Sequence, residues 1–244
     1  MDRSSQRVVL AASLLLTLGG AATRARACGV SANGVASCSL AEHQEAERPR
    51  WAVGLSGLAT RTVLRFDGTV RAEELRYALL ADLAYLPTRT LALDLGAGTA
   101  LGGSLEAPDG RHELAAGPAL AAGLTWRFVD APTHFALLTS GLSFVTSRTQ
   151  RGAEPSTRYT AFDLRVGAAL GLNLAGFFHP FVLARAFGGP VFWHYQGQSV
   201  TGTDVHHYQL GAGFGVEVGK RLTLVFEVVP LGEQALSAGA SVAF

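Results

Sequence analysis

Beyond residue 50, apolar and polar side chains alternate along most of this chain. In 208–220 one face carries Tyr208, Leu210, Ala212, Phe214, Val216 and Val218; the other carries Gln209, Gly211, Gly213, Gly215, Glu217 and Gly219. In 162–174, Phe162, Leu164, Val166, Ala168, Leu170 and Leu172 oppose Asp163, Arg165, Gly167, Ala169, Gly171 and Asn173. Tyr77, Leu79, Ala81, Leu83 and Tyr85 oppose a face holding Asp82, and 114–128 places Leu114, Ala116, Leu120, Ala122, Leu124, Trp126 and Phe128 together. A helix would space its apolar residues three and four apart; a spacing of two belongs to a strand. The expectation is an all-β fold.

Turn-forming residues divide the chain into about ten such segments: 51–62, 71–86, 90–105, 114–128, 134–149, 158–174, 178–194, 206–220, 221–232 and 234–244. A count of 8 to 12 fits the same signals. Tight connections (87–89, 129–132, 175–177, 219–221) alternate with longer or more polar ones (63–70, 106–113, 150–157, 195–205), although the last, near Leu231–Gln234, is short. Such alternation is that of an antiparallel up-and-down transmembrane β-barrel with short turns on one side and longer loops on the other. A soluble sandwich or lipocalin-like ligand-binding barrel would use the same alternation with its apolar face inward. Several segments exceed the ~5–6 residues usual in soluble strands. Aromatics also gather near segment ends (Tyr77 and Tyr85, Trp126 and Phe128, Phe192 and Trp193, Tyr208), as an interfacial girdle requires. Both features favour the membrane.

Composition agrees. Of 244 residues, 48% are hydrophobic and only 16% charged, with 29 glycines and a formal charge of +1. That balance excludes a disordered chain and lacks the basic surface a nucleic-acid partner needs. After residue 28 no stretch is apolar for the ~18 residues of a membrane helix.

The first 27 residues read as a secretory signal peptide: Arg3 and Arg7, an apolar run from Val8 to Leu18, then Ala25-Arg26-Ala27 as cleavage site. Cleavage there removes Asp2, Arg3, Arg7, Arg24 and Arg26 and takes the formal charge from +1 to −2. Residues 28–50 form a polar periplasmic stub, too short for its own core. Its two cysteines, Cys28 and Cys38, are expected to close a disulfide in an oxidising compartment. Lipidation of Cys28 is the alternative, although bacterial lipoproteins usually carry a Leu-like residue where Ala25 stands. The stub has two further readings, a partner-docking peptide or a segment tucked into the barrel mouth.

The chain ends in Leu236-Ser237-Ala238-Gly239-Ala240-Ser241-Val242-Ala243-Phe244, with apolar residues at alternate positions back from Phe244. This resembles the terminal signal of bacterial outer-membrane β-barrels. The resemblance covers 51–244 at the level of architecture. It implies recognition by the barrel-assembly machinery through Phe244 and Val242, and a Gram-negative outer membrane with its lipids and lipopolysaccharide as surroundings.

On this reading Asp82, Asp94, Asp163, Arg165, Glu217 and Glu227 face the lumen, because charges are costly against hydrocarbon. Their expected role is an internal network of ion pairs and hydrogen bonds. A narrow cation-preferring pore, or a small ligand or ion held inside, stays open because many inward positions are glycine. Arg185 shares parity with Phe181, Leu183 and Phe187, which leaves its face unassigned unless a bulge near Gly188-Gly189-Pro190 re-aims the strand.

Asp204-Val205-His206 is similar to the Asp-x-His element of the omptin outer-membrane proteases, but the Asp-x-Asp pair of that family occurs nowhere here. His134, His194 and His206 lack the serine two places on that lipid A deacylase barrels use. Asp204 and His206 are therefore weak loop-site candidates for a surface hydrolase. The expectation is a structural, binding or narrow-pore protein without catalysis, metal or cofactor.

Overall fold

The computed structural model describes residues 27–30, 36–39, 50–219 and 221–244. Of the segment 1–27 expected to be a signal peptide, residues 1–26 lie outside the described residues. A small hairpin, β1 (Ala27–Val30) and β2 (Ala36–Ser39), precedes the main sheet, and its register sets Cys28 directly opposite Cys38. Strand β1 lies against β7 and β8, and β2 against β13, β14 and β15, so the hairpin bridges two walls of the barrel described next.

The main sheet holds β3 (Trp51–Phe66), β4 (Val70–Tyr85), β5 (Leu91–Ala107), β6 (Gly110–Leu114), β7 (Gly117–Asp130) and β8 (His134–Gln150). It continues with β9 (Thr157–Leu172), β10 (Phe178–Gly188), β11 (Val191–Tyr195), β12 (Gln198–Asp204), β13 (Tyr208–Val218), β14 (Leu222–Gly232) and β15 (Gln234–Ala243). All pairings are antiparallel, and β15 pairs with β3 to close the sheet into a barrel. Three staves are broken once: β6 leads into β7, β10 into β11, and β12 into β13. Ten staves result, with Trp51 and Phe244 paired on one side, the terminal end.

The far end is built differently. Successive register partners run Ser56, Leu80, Gly98, Ala119, Val145, Ala161, Val191, Gly202 and then Phe66. This circuit crosses eight strands and omits β14 and β15. It returns to β3 ten residues above its start, which is the stagger that closes a small barrel. The short β14–β15 hairpin therefore wedges between β13 and β3 near the terminal end, while above it β12 pairs directly with β3. The barrel has ten strands below and eight above.

The connections expected to be long at the far end are mostly strand. β3 continues to Phe66, β5 to Ala107, and the stretch 195–205 is largely the hairpin β11–β12, with Gln196 and Gly197 at φ 49° and 79° as its two-residue turn. The long polar connection expected at 195–205 is thus corrected: asymmetry between the ends comes mainly from strands that project.

Outward faces mark the membrane. Val53, Leu55, Leu83, Leu95, Leu124, Leu142, Val166 and Leu170 are all exposed in one belt, far more apolar surface than a water-soluble domain tolerates. Trp51, Tyr85, Trp126 and Phe128 rim its terminal edge, and Tyr77, Phe162, Phe192 and Tyr208 its far edge. From Tyr77 to Tyr85 is about 26 Å along a strand at ~3.3 Å per residue. Beyond that edge the outward positions become Arg61, Arg65, Arg71, Glu106, Arg111, Glu113, Arg148 and Arg158, all exposed. Apolar outside and charged inside is the reverse of a lipocalin, and that alternative is set aside.

Leu114 does not share a face with Leu120, as the alternation suggested. Leu114 is buried inside and Leu120 is exposed, because the break at 115–116 shifts the parity between β6 and β7.

Candidate functional site: the filled interior

Each of the six charged residues assigned to the lumen lies on the inward parity of its strand. Nearest the terminal end, Asp82 accepts a hydrogen bond from the Ser56 hydroxyl at 2.6 Å, and Asp94 is buried on the neighbouring strand. Across the lumen, His179 Nε2 lies 3.3 Å from Glu217 Oε1, and His179 Nδ1 is 3.1 Å from Asn173 Oδ1. Arg127 reaches Asp130 at 2.9 Å and lies over the Phe135 ring.

Above this level sits an apolar layer of Phe135, Leu137, Phe181, Leu183, Val225 and Val229. Arg185 rises from the same face of β10 and is buried inside, in bidentate contact with Glu227, 2.7 Å at each oxygen. Its parity was no contradiction: on β10 the inward face is itself apolar, and the break at 189–190 does not re-aim it.

Gln209 links this pair onward, donating to Glu233 at 2.9 Å, and Arg165 binds Glu233 at 3.0 Å and also Asp163. Arg165 stacks over the Phe187 ring. Next come Glu74 with Arg76 at 3.3 Å, and Asp204, which accepts from the Thr62 hydroxyl at 2.7 Å. Burial pushes the Asp204 carboxyl up to about 7, with the nearby carboxylates Glu233, Asp163 and Glu74 adding and the Thr62 bond opposing.

The eight-stranded end is packed like the core of a soluble barrel. Leu64, Phe66, Leu105, Leu114, Tyr159, Val191, Trp193, Tyr195 and Val200 form one cluster, and the Trp193 indole donates to Thr149 at 2.9 Å. Trp193 meets Phe66 at 5.4 Å, Tyr195 at 4.5 Å and His112 at 4.9 Å between ring centroids. At the tip, Asp109 joins three hairpins by contacts to His112 (3.1 Å), Arg151 (2.8 Å) and Gln196 (3.5 Å). Burial alone would raise the Asp109 carboxyl, but hydrogen bonds from His112, Tyr195 and Gln196 outweigh it and hold it below its ordinary value.

Space left by inward glycines is used by rings. A Cβ on Gly171 would sit 2.1 Å from the Phe135 ring, and one on Gly213 would sit 2.6 Å from the Phe181 ring. Gly171 and Gly213 are therefore the seats of neighbouring aromatics rather than open volume.

The two loop candidates are separated. Asp204 is inside, bound to Thr62, whereas His206 lies exposed outside the wall with its ring edge-on to Tyr208. One residue beyond β12 the inward parity changes, so the Asp-x-His spacing straddles the wall. Among the described residues, no group of three His, Cys, Asp or Glu gathers as a metal would need.

Sequence reasoning missed Glu74, Arg76, Gln209 and Glu233. Glu74 and Arg76 share parity with Asp82 and were legible by extending that strand; Glu233 sits in a one-residue turn with no periodic signal.

No protein-family profile and no curated protein matches the chain. Among solved structures it is similar to the outer membrane protease OmpT from Escherichia coli, at 11% identity and TM-score 0.51, over 80% of this chain and 96% of that one. It is also similar to the translocator domain of the autotransporter NalP from Neisseria meningitidis (13% identity, TM-score 0.44, 82% and 90% covered). A third likeness is to Neisserial surface protein A (11% identity, TM-score 0.41, 80% and 97% covered). Likeness at this level carries the fold alone. The chain shares the antiparallel transmembrane β-barrel fold.

Proposed function

We propose that this outer-membrane barrel is closed and non-catalytic, a structural or binding protein that acts through its outer wall and rim rather than by conduction. The terminal end faces the periplasm, with the far end outside. One observation carries the reading: the lumen is occupied twice over, by the Arg185–Glu227–Gln209–Glu233–Arg165 network in the belt and by the Trp193 cluster above it. An eight-stranded ring has an interior that side chains just fill.

The reading includes export through a cleaved signal peptide, a Cys28–Cys38 disulfide, and assembly guided by Val242 and Phe244. Its partners are outer-membrane lipids, lipopolysaccharide and the barrel-assembly machinery. The Asp204 and His206 side chains, on opposite sides of the wall, give a hydrolase no assembled couple.

Conductance of the refolded mature chain in planar bilayers tests it, with Asp94→Asn and Glu217→Gln beside wild type. Electrical silence from protein that is folded and heat-modifiable is the expected result. Steady discrete openings whose cation preference falls in the variants would replace the closed barrel with a carboxylate-lined pore.

A further inference from the structure

Two arginines face each other on the outer wall with nothing to neutralise them. Arg148 of β8 and Arg158 of β9 are direct register partners, both exposed on the outward face just beyond the belt. Like charges directly opposite are unfavourable in a sheet. Three other arginines of the far end have carboxylate partners (Arg61 has Glu73, Arg111 has Glu113, and Arg151 has Asp109), whereas the opposed pair Arg65 and Arg71 shares the lack of one. Among the described residues, neither Arg148 nor Arg158 has one. Glu113, opposite Gln150 on the adjoining strand, is held by Arg111 at 2.6 Å.

The pair borders a notch. Where β6 breaks into β7, small residues 115–117 and Pro118 leave a cavity of about 540 Å³ that Arg148, Arg158, Thr146 and Ser147 also line. Below the arginines the outward face of the same two strands is graded in chemistry. Thr146 and Thr160 come first, with their hydroxyls 3.2 Å apart; then Phe144 and Phe162, with ring centroids at 4.9 Å; then Leu142 and Leu164. The last two pairs border an apolar hollow of about 1110 Å³ that Leu83, Leu95 and Leu120 also line, with the carboxylates Asp82 and Asp163 on its edge.

Guanidinium pair, hydroxyls, rings and apolar hollow follow one another in the order of the parts of a phosphorylated acyl lipid. Paired arginines suit a phosphate because their planar forks donate several charge-assisted hydrogen bonds. We propose that this column binds a phosphorylated, acylated lipid of the outer leaflet, with Arg148 and Arg158 clamping a phosphate and the hollow holding a chain. The inference rests on the outward orientation of the far end and is independent of whether the lumen conducts.

Native mass spectrometry of the folded full chain in non-ionic detergent tests it, with diphosphorylated lipid A, its dephosphorylated form and inorganic phosphate as probes. Wild type is compared with Arg148→Gln/Arg158→Gln, with Phe144→Ala, and with Arg65→Gln/Arg71→Gln. The last removes another directly opposed pair, one beside the 67–69 turn with Glu73 next along its face. Each variant is first shown to be folded by heat-modifiable mobility.

The expected result is a loss of about tenfold or more in lipid A affinity for Arg148→Gln/Arg158→Gln, a smaller loss for Phe144→Ala, and none for Arg65→Gln/Arg71→Gln. Dephosphorylated lipid should bind wild type as weakly as lipid A binds the first variant, and inorganic phosphate should leave no adduct. Equal losses in the two arginine double variants would reduce the effect to diffuse charge and overturn the site. Inorganic phosphate bound as tightly as the lipid would overturn the acyl component. Conductance plays no part in these readouts, so a pore would contradict the closed-barrel reading and leave this one standing.

Discussion

The barrel solves the same problem in two ways at its two ends. In the belt, ten strands enclose a wide interior, and the outward face must be apolar, so the charges go inside as a connected network. Beyond the belt the β14–β15 hairpin drops out and eight strands remain; the outward face carries charges and the interior is aromatic. The lower part is inside-out relative to a soluble barrel and the upper part is right way round, within the same staves. Strand number and solvent, rather than local sequence, decide which face is buried: a side chain such as Leu142 is at home exposed in the belt, and Leu64 is fully buried at the far end.

The comparison is broken most directly from above. Trp193→Ala removes the largest ring of the far cluster and should cost about 3–5 kcal/mol, the usual loss for an emptied aromatic core site. Proteolytic nicking near Gln196 should follow, while heat-modifiable mobility of the belt persists. Loss of both together would show that the two ends are a single cooperative unit.

From below, Arg185→Ala leaves Glu227 buried without its partner, which should cost about 3–5 kcal/mol in urea refolding into vesicles. The paired change Arg185→Met/Glu227→Leu should restore most of that, since matched apolar groups replace a buried ion pair with little loss. A double variant as unstable as the single would mean that the network does more than neutralise itself.

The outward faces predict a contrast of about 2–4 kcal/mol. Leu142→Arg places a charge against hydrocarbon near midplane and should lose that much. Arg65→Leu, above the belt, should change stability by less than about 0.5 kcal/mol. Similar penalties at both sites would misplace the membrane edge.

A smaller effect depends on pH. Because Asp204 rises from 3.8 to about 7 in the fold, the folded state binds its proton more tightly than the unfolded chain. Its contribution to stability is therefore greatest below its unfolded value, declines as pH rises toward about 7, and stays low above that. Asp204→Asn should match wild type near pH 4 and resist urea better near pH 8. A variant weaker than wild type at both would overturn the sign.

Much of this architecture was legible because a period of two survives lipid, lumen and water alike. Strand β9, with Phe162 and Asp163 on opposite faces, announced both its form and its orientation. What failed were the places where one residue shifts parity. The break at 115–116 turned Leu114 inward, and the segment between β12 and β13 put Asp204 and His206 on different sides of the wall. No composition signal marks such a slip, because small residues and loops look alike in sequence. The eight-stranded circuit was also hidden, since it depends on β12 meeting β3, more than a hundred residues apart. Gly171 was hidden for a related reason: it reads as space until Phe135 of the neighbouring strand is seen to fill it.

The far end is a packed eight-stranded ring above a ten-stranded belt. Hydrogen–deuterium exchange of the protein in lipid nanodiscs measures this directly. Amides of Val191–Tyr195, Gln198–Asp204 and Leu64–Phe66 are expected to exchange as slowly as those of β13 in the belt, because each strand is paired on the ladder and its inner face is dry. Rapid exchange across 191–204, at the rate of a solvated loop, would contradict it.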